Sequence, residues 1–167
     1  MSSSLDNALG ARFDGVVELG ANDYDTCARK SDGTVWCWGN DTYRQLADGT
    51  DVSHHAPRQV LGVHDVVELA VGALGSCART ADGHAVCWGG NTYGTLGDGT
   101  TIARTTAVPV KGLEGVAELA VASPHSCARL VDGTVRCWGS TSWDLGQTKP
   151  EPTPVPLTEL AGVTQLA

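Results

Sequence analysis

The sequence predicts an all-β protein of stacked repeats, a propeller or a solenoid. Three observations carry this. One pattern occurs three times, each copy displaced by 50 residues: Cys27, Asp32, Gly33, Cys37, Trp38 and Gly39 return as Cys77, Asp82, Gly83, Cys87, Trp88 and Gly89, and again as Cys127, Asp132, Gly133, Cys137, Trp138 and Gly139. A fixed period of this length marks supersecondary units that bury their apolar faces only against neighbouring copies. The composition agrees, because 21 glycines and 18% charged residues beside 41% hydrophobic ones describe a turn-rich, packed chain.

Each unit can be read in chain order. Residues 1 to about 12 are polar and match nothing later, so residues 1–13 read as a leader. The first strand of each unit is Val16-Val17-Glu18-Leu19, Val66-Val67-Glu68-Leu69 or Val116-Ala117-Glu118-Leu119. These are short runs rich in β-branched residues, set off by Gly or Asp. The next two strands carry Cys-Ala-Arg and Cys-Trp-Gly. A loop such as Ser31-Asp32-Gly33 joins them, where Gly33 takes positive φ cheaply and closes a tight hairpin. That loop sets Cys27 opposite Cys37, Ala28 opposite Trp36 and Arg29 opposite Val35. Both faces of the hairpin carry apolar groups, so both should be covered by neighbours. A long connection follows, marked by Tyr43, Tyr93 and Trp143 and by Asp48-Gly49-Thr50 and Asp98-Gly99-Thr100. Proline-containing runs (Pro57 to Val60, Pro109-Val110, Pro154 to Leu157) close each unit, and proline's missing donor places them at a sheet edge. The units span 14–65, 66–115 and 116–161, and residues 162–167 begin a fourth opening strand. Residues 16–65 and 66–115 agree at 20 of 50 positions.

The combined pattern Glu-Leu-Ala, Ser-Cys-Ala-Arg, Asp-Gly-Thr-Val, Cys-Trp-Gly, Leu-Gly-Asp-Gly-Thr and Pro-Val resembles the regulator of chromosome condensation repeat, over about residues 14–167. The resemblance implies four-stranded blades arranged in a propeller. It also implies a rigid disc that binds other proteins through its loops. Members of that family include a guanine-nucleotide exchange factor for a small GTPase, a plant ultraviolet receptor and a secreted bacterial β-lactamase inhibitor. Fold alone does not choose among such roles. The cysteine-bearing version resembles bacterial exported forms of the repeat.

The expected function is therefore a non-enzymatic protein-binding scaffold. A regulator of a small GTPase with nucleotide-exchange activity is the alternative, and no position here matches that activity's contact loops. A hydrolase built on propeller loops is a third class. No nucleophile motif or phosphate-cradling loop supports it. No cofactor is expected. The net charge of −8 argues against nucleic acid and against an anionic membrane surface. No apolar run approaches the roughly 20 residues of a membrane span.

Cys27, Cys37, Cys77, Cys87, Cys127 and Cys137 have two readings, three intra-hairpin disulfides or buried free thiols. Bridges would place the chain outside the cell or in the envelope, whereas free thiols would suit the cytoplasm. Zinc fits poorly, since no Cys-x-x-Cys spacing exists. Trp38, Trp88 and Trp138, each followed by Gly39, Gly89 or Gly139, read as one structural pair per blade. The Glu18/Arg29, Glu68/Arg79 and Glu118/Arg129 sets read as ion pairs within blades. The Asp-Gly-Thr segments read as turns, lacking the alternating carboxylates of a calcium loop. Binding sites break repeat symmetry, so the irregular Asp23, Tyr24, Asp25, His125 and Trp143 are the candidates for a partner-binding rim, with His54-His55 a further irregularity. Three blades are fewer than the roughly four to eight of a closed ring. Two expectations follow, a piece of a longer array or a homodimer that completes the ring.

Overall fold

The computed structural model describes residues 13–140, 150–158 and 163–166. Among these there is no helix. Strands β1 (Val16–Ala21), β2 (Asp25–Lys30), β3 (Val35–Gly39) and β4 (His54–Gln59) form the first sheet. The second holds β5 (Val66–Val71), β6 (Gly75–Thr80), β7 (Ala85–Gly89) and β8 (Arg104–Pro109), and the third β9 (Val116–Ala122), β10 (His125–Leu130), β11 (Val135–Ser140) and β12 (Pro150–Pro156). Each sheet is a four-stranded antiparallel meander in chain order, the form of a propeller blade. The proline-bearing strands β4, β8 and β12 lie at the outer edges, where an absent N–H breaks no ladder.

The central hairpins have the expected register. Cys27 faces Cys37, Ala28 faces Trp36 and Arg29 faces Val35, with Gly33 at φ 78° closing the turn. Opposed cysteines on neighbouring strands lie within bonding reach, and the structure pairs Cys27 with Cys37, Cys77 with Cys87 and Cys127 with Cys137. Each bridge closes ten residues, a loop that contributes about 2–3 kcal/mol by restricting the unfolded chain. The glycine of Cys-Trp-Gly has a steric reason. Gly39 and Gly139 lie at φ 123° and 104°, where a Cβ would stand 2.6 Å from the carbonyl oxygens of Tyr24 and Pro124.

The core lies between blades. One apolar cluster joins Cys27, Val35, Cys37 and Leu46 of blade 1 to Val66, Leu69, Ala78 and Trp88 of blade 2. The other joins Cys77, Cys87 and Leu96 to Val116, Leu119, Ala128 and Trp138. The Cys27–Cys37 and Cys77–Cys87 disulfides thus each face the blade that follows them. Trp88 donates its indole N–H to the Gln45 carbonyl at 3.0 Å, and Trp138 donates to the Thr95 carbonyl at 2.8 Å. Trp38 is half-buried and packs edge-on against Phe13, as does Trp36. Phe13, read with the leader, belongs with the blade because Trp36 and Trp38 give its ring apolar surface to cover.

A second link repeats alongside. Glu18, Glu68 and Glu118 pair with Arg29, Arg79 and Arg129 of their own blades at 2.6, 2.7 and 3.0 Å. The same carboxylates reach forward, Glu18 Oε1 accepting from Leu69 N at 3.3 Å and Glu68 Oε1 from Leu119 N at 2.9 Å. Glu118 Oε2 accepts from Leu166 N at 3.0 Å. Among the described residues nothing gives the outward face of blade 1 such cover: Leu19 is 65% exposed, against 9% and 7% for its counterparts Leu69 and Leu119.

Two outcomes follow. Replacing Glu68 by Ala removes an acceptor from Leu119 N and a partner from Arg79, and should lower the unfolding free energy by about 1–3 kcal/mol; urea denaturation measures it. Cys127–Cys137 faces no described blade, and Cys127 is half-buried while Cys27, Cys37, Cys77 and Cys87 are buried. Under limiting reductant, alkylation and mass spectrometry should find Cys127 and Cys137 labelled first, because exchange needs access to sulfur.

Candidate protein-binding rim

A meander brings the β1–β2 turn and the long β3–β4 connection to the same end of every blade. That end carries the residues that break the repeat. In blade 1 the turn is tied by Asn22, whose Oδ1 accepts from Tyr24 N at 2.7 Å and from Asp25 N at 3.2 Å. Its Nδ2 donates to Asp25 Oδ1 at 2.7 Å and to the Gly72 carbonyl of blade 2 at 2.8 Å. This local hydrogen bonding is the reason an Asn-Asp-Tyr-Asp segment turns here. It leaves Asp23 and Tyr24 in solvent, Tyr24 being 52% exposed.

Asp25 does not join the rim. It is 3% exposed, folded inward beside Gly39 on the neighbouring strand. Its Oδ2 lies 3.8 Å from the Cys27 sulfur, which in a disulfide has no proton to donate. Burial pushes its carboxyl from 3.8 up to about 6, against the Asn22 hydrogen bond, with Asp41 adding a further upward push. His125 opens β10 on the same face, half-buried and opposite Gly139. It belongs to blade 3 and Tyr24 to blade 1, with the β5–β6 turn of blade 2 in the series between them. Trp143 lies outside the described residues.

Tyr43 and Tyr93 complete this face. Both read in the sequence as repeat marks, yet they are 47% and 40% exposed. Their place in the long connections, outside every strand, was the available signal. Tyr43 rests against the next blade, where a Cβ on Gly90 would stand 3.4 Å from its own Cβ. Exposed tyrosines held by short hydrogen-bonded loops offer large contact area at little entropic cost, and Tyr is enriched at protein interfaces. Between blades 2 and 3 this end holds a space of about 10 Å³, room for one water, lined by Leu74, Thr95, Val121 and Ser126 among others. A cavity of about 410 Å³ opens at the opposite end, lined by Val63, His64, Asp65, Asp82, His84 and Pro109 among others. There Thr80, and after it His84, holds the Asp82 carboxyl down at about 2. No group of three or more His, Cys, Asp or Glu side chains able to hold a metal ion occurs among the described residues, and no described helix is long and apolar enough to cross a membrane.

The geometry defines a class, a segment of β-propeller whose loops are its variable surface. Comparison with known proteins then names the repeat. The regulator of chromosome condensation (RCC1) repeat matches residues 32–79, and a second description of the same repeat matches 16–45 and 66–95. Residues 16–95 thus carry repeats of the regulator of chromosome condensation family. Prp20p from Saccharomyces cerevisiae, described with its binding properties to Gsp1p and histones, superposes with a TM-score of 0.74 at 17% identity, covering 86% of this chain and 38% of that one. Yeast RCC1 (Prp20) in its complex with Kap60 gives 0.72 at 24% identity, over 85% and 35%. Human WBSCR16 gives 0.70 at 25% identity, over 84% and 39%. The chain thus spans little more than a third of the length of these solved relatives. No curated protein matches.

Asp25 makes stability depend on pH. Its folded-state value lies above that of the unfolded chain, so the native state holds more protons between about pH 4 and about pH 6. The contribution is complete below about pH 4 and is lost as pH rises through about 6. The unfolding free energy of the native sequence minus that of Asp25→Asn should therefore fall by up to about 3 kcal/mol from about pH 4 to about pH 7. Urea titrations of both proteins across that range check it, and a flat difference rejects it.

Proposed function

We propose that this chain is a non-enzymatic protein-binding scaffold whose partner meets the face bearing Tyr24, Tyr43 and Tyr93. The observation that carries this reading is the contrast between a repeated interior and an irregular rim. Cystine, Trp and Glu/Arg positions recur in each blade and hold the blades in register. The exposed tyrosines, Asp23 and the Asn22-tied turn stand on that frame without contributing to its core. A rigid support lowers the entropy lost when such side chains are fixed by a partner. The three bridges support an oxidising compartment, where cystine persists.

Gsp1p and histones are binding partners of Prp20p, and likeness at 17% identity carries the fold alone. Exchange activity is the alternative, and accelerated nucleotide release from a small GTPase would be its sign. A homodimer that closes the ring is tested by light scattering without reductant, where a mass near twice 17.3 kDa is its signature.

The test of the binding face is substitution. Tyr24→Ala, Tyr43→Ala and Tyr93→Ala together should leave the circular dichroism and melting point near those of the native sequence, since all three side chains are exposed. A partner recovered by cross-linking should bind the triple variant at least about tenfold more weakly, the loss of one or two interface anchors. Equal binding by the two proteins rejects this face.

A further inference from the structure

The β3–β4 connection of blade 1 and the β7–β8 connection of blade 2 share one hydrogen-bonded frame, in which Asp41 stands where blade 2 has Asn91. In blade 2 the buried Asn91 closes it. Asn91 Oδ1 accepts from Leu96 N at 3.0 Å, and Nδ2 donates into four oxygens: Thr100 O at 3.0 Å, Ile102 O at 3.1 Å, Asp98 Oδ1 at 3.3 Å and Thr100 Oγ1 at 3.4 Å. Blade 1 repeats the frame bond for bond. Asp41 Oδ1 accepts from Leu46 N at 2.8 Å. Asp48 Oδ1 accepts from Thr50 N and Oγ1 at 2.9 and 2.7 Å, as Asp98 Oδ1 does from Thr100 at 2.9 and 2.7 Å. Val52 N donates to Thr50 Oγ1 at 3.4 Å, as Ile102 N does to Thr100 Oγ1 at 3.3 Å.

In this shared frame Asp41 Oδ2 takes the place of the Asn91 amide nitrogen. A donor has become an acceptor. Asp41 is 0% exposed, and its Oδ2 is buried with no hydrogen-bond partner. The groups that correspond to those around the Asn91 amide are the Asp48 carboxylate, the Thr50 hydroxyl oxygen and the carbonyls of Thr50 and Val52, oxygens all. The fixed charges change in the same direction. Blade 2 answers Asp98 with Arg104, whose Nε and Nη2 donate at 2.8 and 2.6 Å. Blade 1 has His54 there, 3.2 Å from Asp48, and adds Asp51 where blade 2 has Thr101. One carboxylate with a permanent cation has become three carboxylates with a histidine.

We propose that the β3–β4 connection of blade 1 binds a hard divalent cation of the calcium class through Asp41 Oδ2, the Asp48 carboxylate and the Thr50 and Val52 carbonyls. Neighbouring ligands of an ion with metal–oxygen distances of about 2.4 Å stand about 3.0–3.4 Å apart. That is the spacing between the Asn91 nitrogen and its oxygens. Mixed carboxylate and backbone carbonyl ligands suit calcium, whereas magnesium keeps its waters and demands a stricter octahedron. The competing occupant is a proton on Asp41, which burial favours and which Asp48 and Asp51 favour further. A proton removes one of three negative charges and satisfies one acceptor. An ion answers the whole set at once.

The experiment uses the full chain stripped with a chelator and then given calcium chloride, with magnesium chloride as the comparison. Calorimetry should find one calcium ion per chain at neutral pH, and the melting point should rise with calcium concentration. Asp41→Asn installs the side chain the fold already accepts at position 91, so the variant should fold. It should lose both the binding heat and the calcium-dependent shift, while melting without calcium at or above the native sequence. The amide resonances of Thr50 and Val52 should move with calcium in the native protein alone. Calcium binding that survives in Asp41→Asn overturns the proposal. So does a native protein that ignores calcium and gains the variant's melting point only on acidification, which would make the occupant a proton.

Discussion

Blade-to-blade contact is the constraint on which the rest of this structure depends. An indole N–H reaching a carbonyl 43 residues earlier, from Trp88 to Gln45 and from Trp138 to Thr95, fixes how far one blade stands from the next. Around it close the apolar side chains of two sheets, neither of which has a core of its own. A four-stranded meander buries little by itself, so each blade is stable only as its neighbour's wall. Glu18 and Glu68 add a polar counterpart, one oxygen bound within the blade and the other given to the next strand. The disulfides of blades 1 and 2 sit inside this contact, and in every blade the bridge locks the hairpin that carries the Trp.

This division of labour leaves the loop ends free to vary. Substitution inside the contact is felt by two blades, whereas Tyr24 or Tyr43 can change without moving a strand. The same freedom explains the polar irregularities of blade 1. Asn22 and Asp25 stand where blade 2 has Gly72 and Gly75, and Asp41 stands where it has Asn91. Asp41 lies in a connection whose turn is held by Asp48 and Thr50 as Asp98 and Thr100 hold its counterpart, so the exchange alters the chemistry and not the path.

The strand order, the hairpin register, the opposed cysteines and the edge prolines were all legible in the sequence. Each rests on local rules, the side-chain period of two, the turn chemistry of Asp-Gly-Thr and a 50-residue repeat that multiplies every signal by three. The Glu/Arg pairs were legible for the same reason, since Glu18 and Arg29 meet across one hairpin pair.

Burial and unmatched polarity were decided only by tertiary structure. Asp23, Tyr24 and Asp25 are consecutive and equally polar on paper, yet Asn22 turns one inward and two outward. Tyr43 and Tyr93 keep the repeat spacing of core residues and prove exposed, because spacing reports equivalence between blades and not depth. Asp-Gly-Thr alone gave no reason to expect an ion, and as a turn it needs none. What makes the blade 1 loop different is Asp41, seven residues before Asp48, folded so that its second oxygen stands where an amide stood in the next blade. An uncompensated buried oxygen is a property of surroundings gathered from across a loop, and no single residue in the sequence carries it.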